Sequence, residues 1–333
     1  MMTNTLKLLL RNQLKSSKVI QQASGFTLIE LLIGMAMAFL IITPLLGFMI
    51  SVMNTEQQEQ AKANSEQEIQ AGLDYIARDL KQAVYIYDAD GINALTSTAN
   101  SGPQIPAPTD RTPVLVFWKR ELVEDVIANS GTADKDDTFV YSLVAYYLIK
   151  NNDTTWSKAA RIGRWQIRDG VVTTSTSDSD SKLCTGYTSR YVKGPTSNPD
   201  KYCPSTGFEP FDLSQQGTIT ESMNAWTKKA STTYTADTLV LVDYIDQTTT
   251  GAPLATCPNS ASADITWSKV APTSRTSFYA CIDVLNTTSE VFIRGNALAR
   301  INTQGNNIAY SDGQKTYFPT ANTRVQGRGY LYK

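Results

Sequence analysis

The chain of 333 residues contains no histidine. This absence excludes Ser-His-Asp and Cys-His catalysis and every metal site that needs an imidazole ligand. The sequence also lacks a Gly-x-x-x-x-Gly-Lys phosphate loop and a Gly-x-Ser-x-Gly nucleophile turn. We therefore expect no enzymatic reaction and no cofactor.

Cysteine is scarce and confined to the C-terminal half of the chain. No Cys-x-x-Cys occurs, which argues against a zinc or redox motif. The surrounding sequence is rich in Thr, Ser, Asn and Gly, as in β-rich extracellular domains, where disulfides persist. Four cysteines allow three pairings. We favour the pairing that closes two short loops, with the bridges Cys184–Cys203 and Cys257–Cys281. The alternative is that the thiols are buried and unpaired.

Charge is unevenly distributed along the chain. Residues 1–25 carry four basic side chains and no acid, so the remainder is mildly acidic, which argues against a nucleic-acid partner.

From Phe26 to Met53 the only ionisable side chain is Glu30. About 20 apolar residues suffice to span a bilayer, so this stretch is a membrane-segment candidate. The basic flank predicts a cytoplasmic N-terminus.

Three interpretations of this segment compete. A cleaved secretory signal is disfavoured because the apolar run is too long. A plain single-pass anchor accounts for the length and the flanking charge. It does not account for Glu30, because an acid within a membrane segment is costly and usually functional.

The third interpretation comes from the residues Gly-Phe-Thr-Leu-Ile-Glu-Leu-Leu, 25–32, which follow the basic segment. They resemble the processing signal of type IV prepilins and type II secretion pseudopilins. The resemblance implies cleavage between Gly25 and Phe26 by a prepilin peptidase, N-methylation of Phe26, and an assembly role for Glu30. The stretch 73–83 is similar to the corresponding helix of PilW-type minor pilins. Residues 291–301 resemble a stretch of those proteins and of the pseudopilins of cyanobacterial hormogonium polysaccharide secretion.

Apolar periodicity gives the expected α+β fold. Ile69, Leu73, Ile76, Leu80 and Val84 form one helical face. We predict a leader at 1–25, a pilin-like helix at 26–85 that spans the membrane at 26–53, and an antiparallel β-rich head at 86–333. Residues 87–110 are predicted as a loop. The predicted strands are 114–118, 138–149, 160–168, 238–245, 278–285 and 290–294.

Four other features of the sequence also carry predictions. Pro44 should kink or unwind the helix, because proline removes one backbone hydrogen bond. Asp88, Asp90 and Gly91 resemble the start of a calcium loop whose later ligands are missing, and a second acidic cluster lies at 134–137. Gly295 and Asn296 suggest a positive-φ turn. The side chains of five tryptophans could stack on sugars, although packing in the core is the simpler interpretation of them. The five are Trp118, Trp156, Trp165, Trp226 and Trp267.

The expected function is that of a minor pilin or pseudopilin, active in filament priming or tip assembly for motility or polysaccharide secretion. The expected partners are a prepilin peptidase and N-methyltransferase, a major pilin with other minor pilins or pseudopilins, the inner-membrane assembly platform, and lipid before assembly. The protein would cross the inner membrane once, with its head in the periplasm, and reach a surface filament later. The alternative is a membrane-anchored extracytoplasmic binding protein, with carbohydrate as one possible ligand.

Overall fold

The computed structural model describes residues 25–98, 102–129, 134–259, 265–302, 308–329 and 331. The predicted leader, apart from Gly25, lies outside these residues. Within them a long helix is followed by antiparallel sheets, which confirms the α+β class. The chain divides into two compact units, Met1–Thr55 and Glu56–Lys333, so the end of the long helix shares a unit with the head.

Four α-helices and one 3₁₀ turn are present in the described residues. They are α1 (Leu28–Leu80), α2 (Ala89–Thr96), α3 (Ile219–Asn224), α4 (Leu298–Ile301) and the 3₁₀ turn Asp312–Tyr317. Residues 87–110 were predicted as a loop, and α2 corrects this. The Asp88 side chain accepts a 2.8 Å hydrogen bond from the Gly91 N–H and so caps α2, which accounts for the residues that resemble a calcium-loop start.

Eleven strands are present in the same residues. They are β1 (Ala83–Ile86), β2 (Arg111–Ala128), β3 (Lys135–Ile149), β4 (Ala160–Arg168), β5 (Ser181–Leu183), β6 (Arg190–Val192), β7 (Leu239–Ile245), β8 (Ser268–Val270), β9 (Phe278–Asp283), β10 (Thr288–Arg294) and β11 (Thr320–Gln326). All six predicted strands are found, with shifted ends for most of them. The five that were missed are β1, β5, β6, β8 and β11.

The strands form three antiparallel sheets. The largest has the order β1-β2-β3-β4-β7, the second β11-β10-β9-β8, and β5 pairs with β6. The two larger sheets meet where Ile245, at the end of β7, bridges Gly295 after β10. They meet again where the Gly329 N–H donates to the Ala83 carbonyl at 3.2 Å. The head is therefore joined by backbone hydrogen bonds at two places.

Helix α1 ends five residues before the predicted limit. Lys81 and Gln82 form a turn, and Ala83–Ile86 then pairs with β2. All four residues of β1 are buried, so the strand shows no alternation that would have marked it in the sequence. Val84 was assigned to the helical stripe because its spacing from Leu80 fits a helix, and this assignment is wrong.

Pro44 does not interrupt α1 in this structure. The helix is continuous from Leu28 to Leu80 with Pro44 inside it, so the predicted unwinding is absent from this conformation. Proline removes one hydrogen-bond donor but leaves the remaining bonds of the helix in place. The Thr43 hydroxyl donates to the Phe39 carbonyl at 2.8 Å, one turn back.

The C-terminal part of α1 packs into the core of the head. Ile69, Leu73, Ile76 and Leu80 are almost fully buried, as their spacing predicted. Gly72 lies against β7, where a Cβ atom would stand 2.4 Å from Val242 Cγ2. A larger residue at position 72 would push the helix away from the sheet, so glycine allows this close approach.

The cysteines pair as predicted. Cys184 bonds to Cys203 with 5.8 Å between Cα atoms, and Cys257 bonds to Cys281 with 5.6 Å. The first bridge closes the loop that follows β5 and carries β6. The second ties the segment before β8 to β9. Two disulfides indicate an oxidising compartment for the head.

The Cys184–Cys203 bridge should contribute measurably to stability. Replacing both cysteines with serine is expected to lower the free energy of unfolding by about 3 kcal/mol, because the open chain gains the entropy of a loop of this size. Urea unfolding of the detergent-solubilised protein, followed by tryptophan fluorescence, measures the change. The same double replacement at Cys257 and Cys281 provides a comparison with a loop of similar length. An unchanged urea midpoint would contradict the prediction.

Candidate assembly site

The N-terminal part of α1 presents apolar side chains to the outside. Phe26 is 80% exposed, and the large apolar side chains from Leu28 to Met53 are exposed as well. The helix has a mean hydropathy of 2.4 over its most apolar 18 residues, enough by length and composition to cross a membrane. A chain with this helix can be held in a bilayer as a single-pass protein.

Glu30 lies in the first turn of α1, as the only acid of the apolar stretch. The Thr27 hydroxyl accepts the Glu30 N–H at 3.3 Å and donates to Glu30 Oε2 at 3.4 Å. These two contacts are long, and Glu30 makes no ion pair in the described residues of the chain. A carboxylate at a helix N-terminus is favoured by the helix dipole. Glu30 is thus exposed and available to a cation.

Gly25 and Phe26 precede the helix. Both are exposed and lie outside regular structure, and α1 begins only at Leu28. A peptide bond that a peptidase cleaves must be reachable as extended chain. The bond between Gly25 and Phe26 lies in exposed chain outside the helix.

A buried ionic group fixes α1 to the head at its other end. Asp79 accepts hydrogen bonds from Lys119 Nζ at 3.0 Å, Arg164 Nε at 2.7 Å and the Tyr146 hydroxyl at 2.7 Å. The three partners come from β2, β4 and β3. Burial acts to raise the pKa of Asp79, but the hydrogen bond and charge of Arg164, with the charge of Lys119, outweigh it and hold the pKa below its usual value.

The sequence carries a signal for this group that is easily overlooked. Asp79 lies three residues after Ile76 and one before Leu80, within the apolar face of α1. An acid on a buried helical face must have a partner, because an unpaired buried charge is strongly unfavourable. The partners Lys119 and Arg164 lie 40 and 85 residues away in sequence, so their identity required the fold.

The stretch Val291–Ile301 also contacts α1. Arg300 Nε donates to Ser65 Oγ at 2.8 Å, and its guanidinium pairs with Glu68. Gly295 lies against Ile69, where a Cβ atom would stand 2.6 Å from Ile69 Cδ1. Its φ is outside the left-handed region, so the predicted positive-φ turn is wrong and close packing is the reason for glycine.

Asn296, the next residue, is fully buried. Its side-chain oxygen accepts the Ala299 N–H at 3.1 Å, and its side-chain nitrogen donates to the Ile308 carbonyl at 2.8 Å. It therefore organises α4, which carries Arg300. The stretch is a structural connection between the end of β10 and the long helix.

The acidic clusters make local contacts. Asp136 accepts the Asn129 side-chain N–H at 2.9 Å, and Asp137 accepts the Asp125 N–H at 3.0 Å across the β2–β3 hairpin. Within the described residues no group of three or more acidic or cysteine side chains is arranged to hold a metal ion.

Core packing accounts for three of the five tryptophans. Trp118, Trp165 and Trp226 are buried. Trp267 is partly covered by Arg324, whose guanidinium carbon lies 5.1 Å from the ring centroid. Trp156, in the β3–β4 connection, is 42% exposed. It is the one tryptophan in the described residues that presents a large open surface.

A cleft of about 660 Å³ lies beside the Cys184–Cys203 loop. Its lining includes Arg168, Tyr187, Lys201 and Lys229. Lys229 lies 4.2 Å from the Tyr187 ring centroid, so it covers part of the aromatic surface. The cleft is a candidate ligand site of the head.

Together, these features give a chain with an exposed apolar helix at one end and a disulfide-stabilised head. The apolar helix can contact lipid or another apolar surface, and Glu30 can accept a hydrogen-bonded cation within it. Comparisons with protein-family models, curated proteins and solved structures found no match to this chain.

Proposed function

We propose that this protein is a minor pilin or pseudopilin, a structural subunit of a type IV pilus-like or type II secretion-like filament. The observation that carries the proposal is the order of its first 53 residues. A basic, acid-free segment is followed by Gly25, Phe26 and Glu30, and then by an exposed apolar helix. A plain anchor needs the apolar residues and the basic flank, but it needs neither the glycine nor the acid.

The acid has a physical role in this proposal. Cleavage after Gly25 creates a positive amine at Phe26, at the end of a helix with unpaired N–H groups. Glu30 of a neighbouring subunit pairs with that amine in an apolar surrounding. Coulomb attraction there is strong, and desolvation offsets part of it. The pair therefore sets the register between subunits and holds a subunit only where amine and acid meet.

The size of the head suggests a low-abundance subunit. A head of nearly 250 residues stacks poorly along a fibre, whereas it fits at a tip or in a priming complex. The partners are then a prepilin peptidase and N-methyltransferase, a major pilin, other minor subunits and an inner-membrane platform. The protein is inserted in the inner membrane with its head in the periplasm before assembly. The filament serves motility or polysaccharide secretion.

The first prediction concerns the N-terminus of the mature protein. Intact mass and N-terminal peptide sequencing of protein from its native membrane are expected to show a chain that begins with N-methylated Phe26. A Gly25→Leu variant is the matched control, because it keeps the apolar segment and blocks the cleavage site. A wild-type chain that retains residues 1–25, in cells with an active prepilin peptidase, would contradict the proposal.

A second candidate function is a single-pass anchor for an extracytoplasmic binding head. The cleft beside the Cys184–Cys203 loop favours it, because a cleft of this size can hold a small ligand. In that case Phe26 is not a mature N-terminus and Glu30 has no assembly partner. The mass measurement therefore separates the two functions.

A further inference from the structure

Four cationic side chains gather where β3 leads into β4. Lys150 directly follows β3, Lys158 lies in the connection, and Arg161 is the second residue of β4. The Lys150 ammonium donates to the Lys158 carbonyl at 2.6 Å, so the connection folds back on itself. The fourth member of this cationic cluster is Arg275, which lies shortly before β9.

Backbone pairing brings Arg275 to the same end of the sheet. Ala160 at the start of β4 pairs with Ile245, and Ile245 bridges Gly295. The neighbouring Arg294 N–H donates to the Ser277 carbonyl at 2.7 Å. The segment containing Arg275 therefore reaches the same end of the sheet, with Ile245 and Gly295 between it and the beginning of β4, and the charge of Arg275 acts on Lys150.

Arg161 is a buried cation without a buried anion. Its side chain is 1% exposed. One terminal nitrogen donates to the Ser157 carbonyl at 3.2 Å and the other to the Asn151 side-chain oxygen, while Nε has no partner in the described residues. Both partners are neutral. A buried guanidinium without a carboxylate is unfavourable, and this points to a missing anion.

The nearby acids have other partners. Asp243 accepts from the Ser157 N–H at 2.9 Å and its hydroxyl at 2.6 Å. Asp110 accepts from Arg111 Nε at 3.1 Å. Asp153 is partly exposed and accepts the Thr155 N–H at 2.7 Å, and this hydrogen bond and the charge of Arg161 lower its pKa. Among the residues that the structure describes, none of these acids forms an ion pair with a member of the cationic cluster.

The cations repel one another. Burial lowers the pKa of Lys150, and the positive charges of Arg275, Arg161 and Lys158 lower it further. Arg275 Nε is also buried without a partner in the described residues. An anion placed among the four side chains would remove this repulsion and supply the missing hydrogen-bond acceptors.

We propose that the cationic cluster binds an oxyanion, a carboxylate or sulfate group carried by an acidic saccharide. The saccharide is indicated by Trp156, which precedes Ser157 and is the widely exposed tryptophan of the described residues. Trp156 lies two residues before Lys158 in the same connection. An exposed aromatic ring there provides a stacking surface for a sugar ring, and the cationic cluster provides charge for its acid group. None of these residues belongs to α1, so the site does not rest on the proposed function.

Calorimetric titration of the full detergent-solubilised chain tests the oxyanion, with sodium sulfate as the probe and sodium chloride at equal ionic strength as reference. Saturable sulfate binding is expected. Lys150→Gln and Arg275→Gln should each weaken it about tenfold, the value of one charge-assisted hydrogen bond. Lys193→Gln is the matched control, because Lys193 also donates to a backbone carbonyl, at 2.8 Å, but lies in another loop. It should bind sulfate like the wild type.

Binding of hexagalacturonate and of its neutral methyl ester tests whether the natural ligand of the cationic cluster is an acidic saccharide. The acid form should bind more tightly than sulfate, and the ester should not bind. Trp156→Ala should weaken hexagalacturonate binding and leave sulfate binding unchanged. Absence of saturable binding of either anion, or binding that Lys150→Gln and Arg275→Gln leave intact, would overturn the site. Sulfate binding without a preference for hexagalacturonate would overturn the proposal that the anion is carried by a saccharide. The ligand would then be an inorganic anion.

Discussion

Replacement of Glu30 by alanine is expected to leave the protein in the membrane and to remove it from sheared surface filaments. The apolar helix and its basic flank are unchanged, so insertion should be normal. A charge pair at 4 Å is worth about 4 kcal/mol at an effective dielectric constant near 20, and desolvation reduces this value. Because 1.4 kcal/mol is about a tenfold change in an equilibrium constant, we expect incorporation to fall at least tenfold. Immunoblots of membrane and sheared fractions measure both quantities.

Two further variants separate the charge of Glu30 from its size and position. Glu30→Gln keeps the shape of the side chain and should lose incorporation as well. Glu56→Ala removes an exposed acid from the same helix but beyond the apolar segment, and it should assemble normally. If Glu30→Ala were incorporated at the wild-type level, the amine–acid pair would be excluded as the contact that holds the subunit. Absence of the wild-type protein from the sheared fraction would instead favour the plain anchor.

Local sequence patterns predicted the features that depend on neighbouring residues. The helical stripe at Ile69, Leu73, Ile76 and Leu80 is buried as its spacing required, and β4 coincides with the predicted strand 160–168. The disulfides followed from loop length. In each case the energetic preference is local: a repeated apolar spacing, a run of strand-forming residues, or two cysteines close in the chain.

Features that depend on distant residues were missed. The strand β1 pairs with β2 and is buried on both faces, so it carries no alternation. Gly295 looked like a turn residue, but its role is set by Ile69, which lies more than 200 positions earlier in the sequence. The short strands β5, β6 and β8 have three residues each, too few for any periodicity.

The candidate assembly site, unlike the features that were missed, consists of residues that are close together in the sequence. Gly25, Phe26 and Glu30 lie within six residues, so the motif could be recognised without a fold. The oxyanion site joins Lys150, Arg161 and Arg275 from separate segments, and only the pairing of β4, β7 and β10 brings them together.

Asp79→Asn is expected to lower the free energy of unfolding of the head by about 3–5 kcal/mol, because it leaves Lys119 and Arg164 buried without their counter-ion. The change should also alter the acid response. The pKa of Asp79 is held below its usual 3.8, so its stabilisation is complete above that value and is lost as pH falls through the lowered pKa. Urea unfolding of the two proteins at pH 7, and again at successive values below pH 4, measures the difference. The difference in free energy of unfolding between the wild type and Asp79→Asn should become smaller as the pH falls.

Asp74→Asn is the control for this experiment, because Asp74 is an exposed acid on the same helix. It should change the free energy of unfolding by no more than about 0.5 kcal/mol. Equal effects of the two substitutions would show that the buried ionic group does not fix α1 to the sheet.

The Asp79 and Glu30 variants are also expected to fail in different ways. Asp79→Asn should lower the amount of folded protein in every fraction, whereas Glu30→Ala should keep the wild-type urea midpoint and lose only the filament fraction. Measuring both properties on both variants therefore separates stability of the head from assembly.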